Sequence, residues 1–275
     1  MNAFERFLTI FMSTMPTPTN YGWFHIMFVA FAVIALTLLC VFARNMQDKT
    51  FRRMVFWCWI VMLVFEIYKQ IFFSSLEIVG DSLRWNYKWY TFPFQLCSAP
   101  LYLLPFVAFL KDGKVRNSII AFLATFAMFG GLVVFLYPND VFVSMIGINI
   151  QTMVHHGLQI VLGIFFMVYY RKKLNWRFFL KGIYTFVVMC AVAMLLNIVV
   201  YNAITAHNGQ TFNMFYFSPY YRCTLALIGD LIWPNVPYIV FLLIYLIGFT
   251  IAASIMFAIP YYIIKGVTRK KNESI

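Results

Sequence analysis

Long runs of apolar residues make up most of the chain, and short polar segments separate them. Seven of these runs are predicted to be helices, at roughly 22–43, 54–75, 91–110, 117–136, 146–170, 178–203 and 236–264. A helix needs about 20 apolar residues to cross a bilayer. The runs are continuous rather than alternating, which argues against strands. The pattern predicts an all-α, polytopic membrane protein with seven transmembrane helices, in a single transmembrane domain over residues 1–275.

The composition agrees with this fold class. The chain is 63% hydrophobic and only 11% charged, and a soluble domain could not cover that much apolar surface with so few charges. No segment is long and polar enough for a second domain. Residues 1–20 do not have the basic start, apolar core and small-residue cleavage site of a signal peptide, so none is expected.

The net charge of +12 is explained by the positions of the basic residues. Most of them lie in short loops on one side of the predicted spans: Arg44, Lys49, Arg52, Arg53, Lys111, Lys114, Arg116, Arg171, Lys172, Lys173, Arg177, Lys181, Lys265, Arg269, Lys270 and Lys271. Cytoplasmic loops carry such an excess of positive charge. We therefore expect the N-terminus outside, the C-terminus in the cytoplasm and no nucleic-acid partner.

Polar residues inside the spans form a layer. They are Glu66, Lys69, Gln70, Gln95, Cys97, Ser98, Gln151, His155, His156, Gln159, Asn197 and Asn202. At 1.5 Å of rise per residue and with the predicted orientation, all of them lie in the outer half of the membrane. Polar groups at this depth are costly, so each requires a structural or functional explanation.

Several of these residues have two interpretations. Glu66 is either the counter-ion of Lys69 on its own helix or a functional carboxylate. Gln95, Gln159 and Asn197, each taken alone, are typical of hydrogen bonds between helices. His155 and His156 project about 100° apart on a helix, so one can face a cavity while the other orients it.

Two prolines interrupt the third predicted span. Pro100 and Pro105 each remove an amide donor and clash with the carbonyl four residues earlier. For Pro100 that carbonyl belongs to Leu96, so we expect an irregular backbone beside Cys97. The direction of the Cys97 side chain stays open.

The five cysteines divide into two groups. Cys40, Cys58 and Cys190 lie in apolar surroundings, where a thiol behaves as a small hydrophobic group. Cys97 lies among polar residues, and a thiolate near a histidine is a strong nucleophile. A disulfide between Cys97 and Cys223 is the alternative for this residue. No metal-binding or cofactor-binding motif is present, so neither a metal nor a cofactor is expected.

Two short motifs carry a family resemblance. FPFQLCSAPLYLLP (92–105) and VHHGLQIVLG (154–163) resemble the YwaF-like bacterial integral membrane proteins. These are distantly similar to a eukaryotic transmembrane acyltransferase that makes polyunsaturated ether phospholipids with a cysteine and a histidine. They are also similar to the androgen-induced hydrolases of fatty-acid esters, which use a threonine and a histidine. The resemblance implies Cys97 as nucleophile, His156 before Gly157 as its partner, and His155 as second choice.

The resemblance therefore implies a lipid acyltransferase or lipid ester hydrolase in the bacterial plasma membrane. Gln159 occupies the position of a second histidine in the hydrolases. Gln95 and Ser98 are candidates to hold an oxyanion, and Glu66, Gln159 and Asn197 are candidates to orient the histidine. The expected partners are membrane lipids, with a phospholipid or other acyl lipid as substrate. The oligomeric state stays open.

Two other functions remain open from the sequence. A transporter or channel would line its path with Glu66, Lys69, His155, His156 and Asp230. A seven-helix receptor or scaffold would need no catalytic cysteine. The segment after Asp230 reads Leu-Ile-Trp-Pro-Asn, which favours an interfacial carboxylate at that position over a site inside a span.

Overall fold

The computed structural model describes residues 1–43, 45–138, 141–225 and 228–273, with side chains as far as residue 267. The helices are α1 (Ala3–Ile10), α2 (Trp23–Ala43), α3 (Asp48–Phe72), α4 (Ala99–Phe109), α5 (Lys114–Leu136), α6 (Ile146–Tyr169), α7 (Trp176–Asn208) and α8 (Tyr238–Glu273). Arg44 and the side chains of Arg269, Lys270 and Lys271 lie outside the described part, so their predicted place at the basic loops stays a prediction.

Six of these helices, α2, α3 and α5 to α8, are long and apolar enough to cross a membrane. The prediction of an all-α, multi-pass membrane protein is confirmed at this level. The seven-span count and the orientation of the termini stay predictions. The predicted span at 91–110 is a shorter apolar helix, Leu96–Phe109. Pro93 forces the preceding residue into extended backbone, and Phe92 has ψ 133°, so no helix forms there.

A short hairpin corrects the expectation that strands are absent. Strands β1 (Leu76–Val79) and β2 (Ser82–Trp85) pair antiparallel between α3 and α4. They lie in a connecting segment outside the apolar runs, so the helical character of the spans is unaffected.

Helices α5 and α6 form the centre of the bundle, since they are the most buried of the six long helices. Helices α2 and α3 pack on α6, while α7 and α8 pack on α5. Aromatic rings fill the centre: Phe126 stacks on Phe186 with ring centroids 4.3 Å apart, and Phe51 stacks on Tyr169 at 4.2 Å. A π turn at Leu123–Ala127 widens α5 where α8 packs against it.

Three loops meet at one end of the bundle, which we call the basic end. Arg52 donates to the carbonyls of Ala108 and Phe109 at 2.6 and 2.8 Å and so satisfies the C-terminus of α4. Buried Arg116 pairs with Asp48 at 2.7 Å, and Lys173 pairs with Asp112 at 2.5 Å. These residues of the predicted cytoplasmic loops therefore lie together. The opposite end, with the β1–β2 hairpin and residues 209–225 and 228–237, is called the hairpin end.

Pro105 has the effect that the sequence predicts. It lies inside α4 and leaves the carbonyl of Leu101 without its helical donor. The indole Nε1 of Trp59 on α3 donates to that carbonyl at 2.9 Å. A free carbonyl at membrane depth is thus satisfied by a neighbouring helix.

Candidate active site

Cys97 lies in a 3₁₀ turn, Leu96–Ser98, immediately before α4. Because α4 begins at Ala99, Pro100 falls in its first turn, where a helix needs no amide donor. The expectation that the Leu96 carbonyl is free is wrong, since it accepts from the amide of Ala99. The carbonyl of Cys97 instead accepts from side chains of α6, from Nε2 of His155 at 2.9 Å and from Nε2 of Gln159.

In the neutral form of each ring, these contacts determine which nitrogen carries the hydrogen. A carbonyl only accepts, so Nε2 of His155 carries the hydrogen and its Nδ1 has a free lone pair. That Nδ1 and Oε1 of Gln159 are buried, and neither has a hydrogen-bond partner among the described residues. Nδ1 of His156 donates to the Thr152 carbonyl at 2.8 Å, which leaves Nε2 unprotonated in a neutral ring. Each ring thus offers one basic nitrogen.

Two adjacent glycines of α5 face the histidine helix and the cysteine segment. A Cβ built on Gly131 would lie 2.7 Å from the carbonyl oxygen of His156 and 2.8 Å from Cβ of Gln159. A Cβ on Gly130 would lie 3.9 Å from Cβ of Cys97. The sequence analysis missed this pair, although adjacent glycines inside an apolar run are a signal of close helix packing.

The thiol of Cys97 is not among the recorded contacts of either histidine ring. His155 and His156 bond to backbone carbonyls, and their ring centroids lie 5.6 Å apart. The structure therefore places His155 on the backbone of Cys97 and His156 beside His155. The predicted Cys97–His156 pair stays a prediction.

Two cavities have Cys97 in their lining. The first, here the polar cavity, has a volume of about 500 Å³ and opens toward the hairpin end; its lining includes Lys69, Thr91, Ser98, Asn213 and Arg222. The second, here the apolar cavity, has a volume of about 410 Å³ between α5 and α8; its lining includes Phe129, Val133, Tyr245, Gly248, Phe249 and Ala252. Gln95, Cys97 and Tyr216 line both.

Residues 213–216 form a wall beside the two cavities. Two amide side chains hold this wall by hydrogen bonds. Gln95 donates to the carbonyl of Asn213 at 2.9 Å and accepts from the amide of Phe215 at 2.7 Å. Asn197 on α7 donates to the Met214 carbonyl at 3.0 Å and accepts from the Met214 amide at 2.7 Å. Both residues therefore act as hydrogen-bonding links between segments, the simpler of their interpretations. Neither contacts a histidine among the recorded bonds.

The same wall carries backbone strain. Phe215 and Tyr216 have φ of 57° and 59°, in the left-handed region that bulky residues rarely adopt. Such residues persist only where the surroundings hold them, and they cluster at functional sites. The four hydrogen bonds from Gln95 and Asn197 supply that hold and place Tyr216 between the cavities.

Glu66 lies in a network beside the polar cavity. Its carboxylate pairs with Lys69 at 2.9 Å and accepts from Gln70 at 2.7 Å and from Gln151 of α6 at 3.4 Å. These contacts favour the counter-ion interpretation of Glu66. Its recorded partners include no histidine, so its predicted role in orienting one stays a prediction. Lys69 lines the polar cavity.

Two other predicted polar positions are exposed. Asn202 is exposed and donates to the carbonyl of Ile198 on its own helix at 2.8 Å. Asp230 is exposed and pairs with Arg222 at 2.7 Å, in agreement with an interfacial carboxylate. Asp230 therefore does not support the interpretation of the protein as a channel.

Cys97 and Cys223 are not joined by a disulfide in the structure, so that alternative is not realised. The Cys97 residue belongs to the lining of both cavities.

Comparison with known proteins gives one positive result. No curated protein and no solved structure matches the chain. The model of the TMEM164 family matches residues 19–261, which include Cys97, both histidines and all six helices of spanning length as far as residue 261 of α8. The chain is therefore a multi-pass membrane protein of the TMEM164 family.

Proposed function

We propose that the protein transfers acyl groups of membrane lipids, with Cys97 as the nucleophile. The observation that carries the proposal is the position of Cys97, which lines both the polar cavity and the apolar cavity. An acyl lipid has the same division, because its ester joins an apolar chain to a polar head. A lipid that fills both cavities would present its ester carbonyl at the thiol.

The chemistry follows from nucleophilic catalysis by a thiolate. A basic histidine takes the proton of Cys97, and the sulfur attacks the ester carbonyl. The C–O bond breaks as the C–S bond remains, and the proton goes to the departing alkoxide. A second alcohol or water then attacks the thioester and gives its proton to the histidine. The C–S bond breaks, and the departing thiolate takes that proton from the histidine to restore the thiol. Alcohol as acceptor makes the protein a transferase, and water makes it a hydrolase.

We assign the base to His156, in agreement with the resemblance of VHHG to the acyltransferase motif. The Thr152 carbonyl holds the tautomer in which Nε2 is free to accept a proton. Catalytic hydrogen bonds are often long before substrate binds, so the missing contact with the thiol does not argue against this role. His155 and Gln159 are positioning residues, because both hold the carbonyl of Cys97.

The remaining polar groups have supporting roles in this proposal. Ser98 lies next to Cys97 and lines the polar cavity, and Gln95 lines both cavities, so these two are the candidates to stabilise an oxyanion. Glu66 holds Lys69 at the edge of the polar cavity. The proposed location is the bacterial plasma membrane, with the hairpin end outward.

A transport function has less support. Between Cys97 and the basic end the interior is filled by buried apolar side chains, among them Leu104, Phe122, Phe126, Phe165 and Phe166. A path for ions or polar solutes needs polar groups or water along its whole length. The polar layer is thus confined to the hairpin end of the bundle.

The test is covalent labelling of the purified protein in detergent with a nitrophenyl ester of an ω-alkynyl fatty acid. We expect intact-mass spectrometry to detect one acyl adduct that hydroxylamine removes, as it removes thioesters, and peptide mapping to place it on Cys97. Cys97→Ala and His156→Ala should lose the adduct. Cys190→Ala, at a buried cysteine of another predicted span, is the control and should keep it.

Equal labelling of wild type and Cys97→Ala would contradict the covalent scheme. Loss of the adduct in His155→Ala but not in His156→Ala would move the base to His155, whose Nδ1 is also free.

A further inference from the structure

The apolar cavity has a glycine in its wall at a place where the helix needs none. Gly248 lies in α8, one turn from Tyr245 and one turn from Ala252, and all three line the cavity. A Cβ built on Gly248 meets no heavy atom within 4 Å. Glycine inside a helix is destabilising by roughly 0.5–1 kcal/mol relative to alanine. Packing against a neighbour does not explain this glycine, because nothing is close to it.

The cavity has the lining expected of a site for an alkyl chain. Its lining comes from Phe129, Gly130 and Val133 on α5 and from the Gly248 face of α8, so the walls are apolar along both sides. Cys97 is the reactive group that this lining shares with the polar cavity. A chain that enters from Cys97 runs between α5 and α8 and passes the face of α8 on which Gly248 lies.

We propose that the apolar cavity binds the acyl chain of the lipid substrate and that Gly248 keeps the cavity open for a long chain. The proposal rests on the proposed acyl transfer at Cys97 and adds the place and the determinant of chain selection. A side chain at position 248 points into the volume that the chain occupies. It therefore shortens the chain that fits, while the geometry at Cys97 is unchanged.

The test uses alkyl methanethiosulfonates, which modify a thiol without acyl transfer. The thiolate attacks the sulfenyl sulfur, an S–S bond forms and methanesulfinate leaves, so the rate reports whether the alkyl chain fits beside Cys97. The rates at Cys97 are measured by peptide mass spectrometry with ethyl and hexadecyl reagents. The readout is the ratio of the hexadecyl rate to the ethyl rate, which cancels changes in thiol reactivity.

Gly248→Leu should lower this ratio by about tenfold or more, the scale on which an apolar pocket discriminates chain length. Gly248→Ala should lower it less, and this variant also favours the helix. Gly266→Leu is the matched control, because Gly266 is also in α8 with nothing within 4 Å of a built Cβ and does not line the cavity. The control should leave the ratio unchanged.

An unchanged ratio in both Gly248 variants would overturn the proposal, and so would an equal fall in Gly266→Leu. Failure of the proposed function has a different signature. In that case Cys97 shows the chain-length preference with the thiosulfonates but never forms the acyl thioester. The apolar cavity would then bind an alkyl chain for a purpose other than transfer.

Discussion

Gly131→Ala tests the close approach on which the candidate site depends. The change adds one methyl group to α5 where it faces the carbonyl of His156 at 2.7 Å and Cβ of Gln159 at 2.8 Å. Real Cβ atoms do not approach other atoms this closely, and a backbone carbonyl cannot rotate away. Helices α5 and α6 must therefore separate, and Gln159 must move relative to the Cys97 carbonyl that it holds.

The change in the free energy of unfolding is the sum of two opposing contributions. Overpacking of a well-packed interior costs about 1–3 kcal/mol. Alanine in place of glycine inside a helix returns about 1 kcal/mol. Gly130→Ala has the same gain in helix propensity. It makes no clash, because a Cβ built on Gly130 has its nearest neighbours at 3.8 and 3.9 Å. The gain in helix propensity cancels between the variants, so Gly131→Ala should be less stable than Gly130→Ala by about 1–3 kcal/mol.

The assay is unfolding of both variants by sodium dodecyl sulfate in mixed micelles, followed by circular dichroism of the helices. Labelling of Cys97 by the acyl ester is measured on the same samples under folding conditions. We expect Gly131→Ala to label more slowly than Gly130→Ala, since only the former displaces the α6 groups around Cys97. Equal stability of the two variants would refute the reasoning, because it would mean that α5 and α6 are not in backbone contact at Gly131.

Two further predictions concern other parts of the fold. Gln95→Leu removes both hydrogen bonds to Asn213 and Phe215 and should lower the free energy of unfolding by about 1–3 kcal/mol, measured by the same titration. At the basic end, the Lys173 ammonium donates to Asp112 and holds the pKa of that carboxyl below its ordinary value. Asp112→Asn should therefore be less stable than the wild type above the ordinary aspartate pKa of about 3.9. This difference should disappear as the pH falls through the lower pKa of the folded state. The loss should reach only about 0.2–1 kcal/mol, because the pair is exposed.

Each of these changes has a matched control. Asn202→Leu removes an amide side chain that bonds only within its own helix in the recorded contacts, so it should cost less than Gln95→Leu. For Asp112, the Lys173→Met variant should show the same pH-dependent loss. A loss that persists unchanged at acidic pH would contradict the assignment of the effect to the Asp112 charge.

Hydropathy predicts the long helices well because membrane spans are determined locally. The predicted runs 22–43 and 146–170 correspond to Trp23–Ala43 and Ile146–Tyr169. The polar layer is also apparent from sequence position, since Glu66 does meet Gln151 and Cys97 does meet Gln159. A costly polar group inside a span is a strong signal that another helix lies opposite.

The backbone around Cys97 could not be predicted in the same way. Whether Pro100 breaks a helix or begins one depends on where α4 starts. That start follows the extended residue Gln95 and the 3₁₀ turn Leu96–Ser98. The partners of Gln95 lie about 120 residues away, in a segment without regular structure. Neither apolar periodicity nor helix spacing reports such contacts. The role of Tyr216 between the cavities was missed for this reason.

The wall formed by residues 213–216 has a consequence for how this protein can change over time. Four hydrogen bonds fix the wall, each worth about 0.5–1.5 kcal/mol, so substitutions elsewhere in the lining do not readily move it. Apart from Gln95, Cys97 and Tyr216, the two cavities have separate linings. Mutation can reshape the chain-binding side on α5 and α8 without disturbing the polar side. Under the proposed function, this division allows selection of the acyl chain and of the polar head to evolve separately.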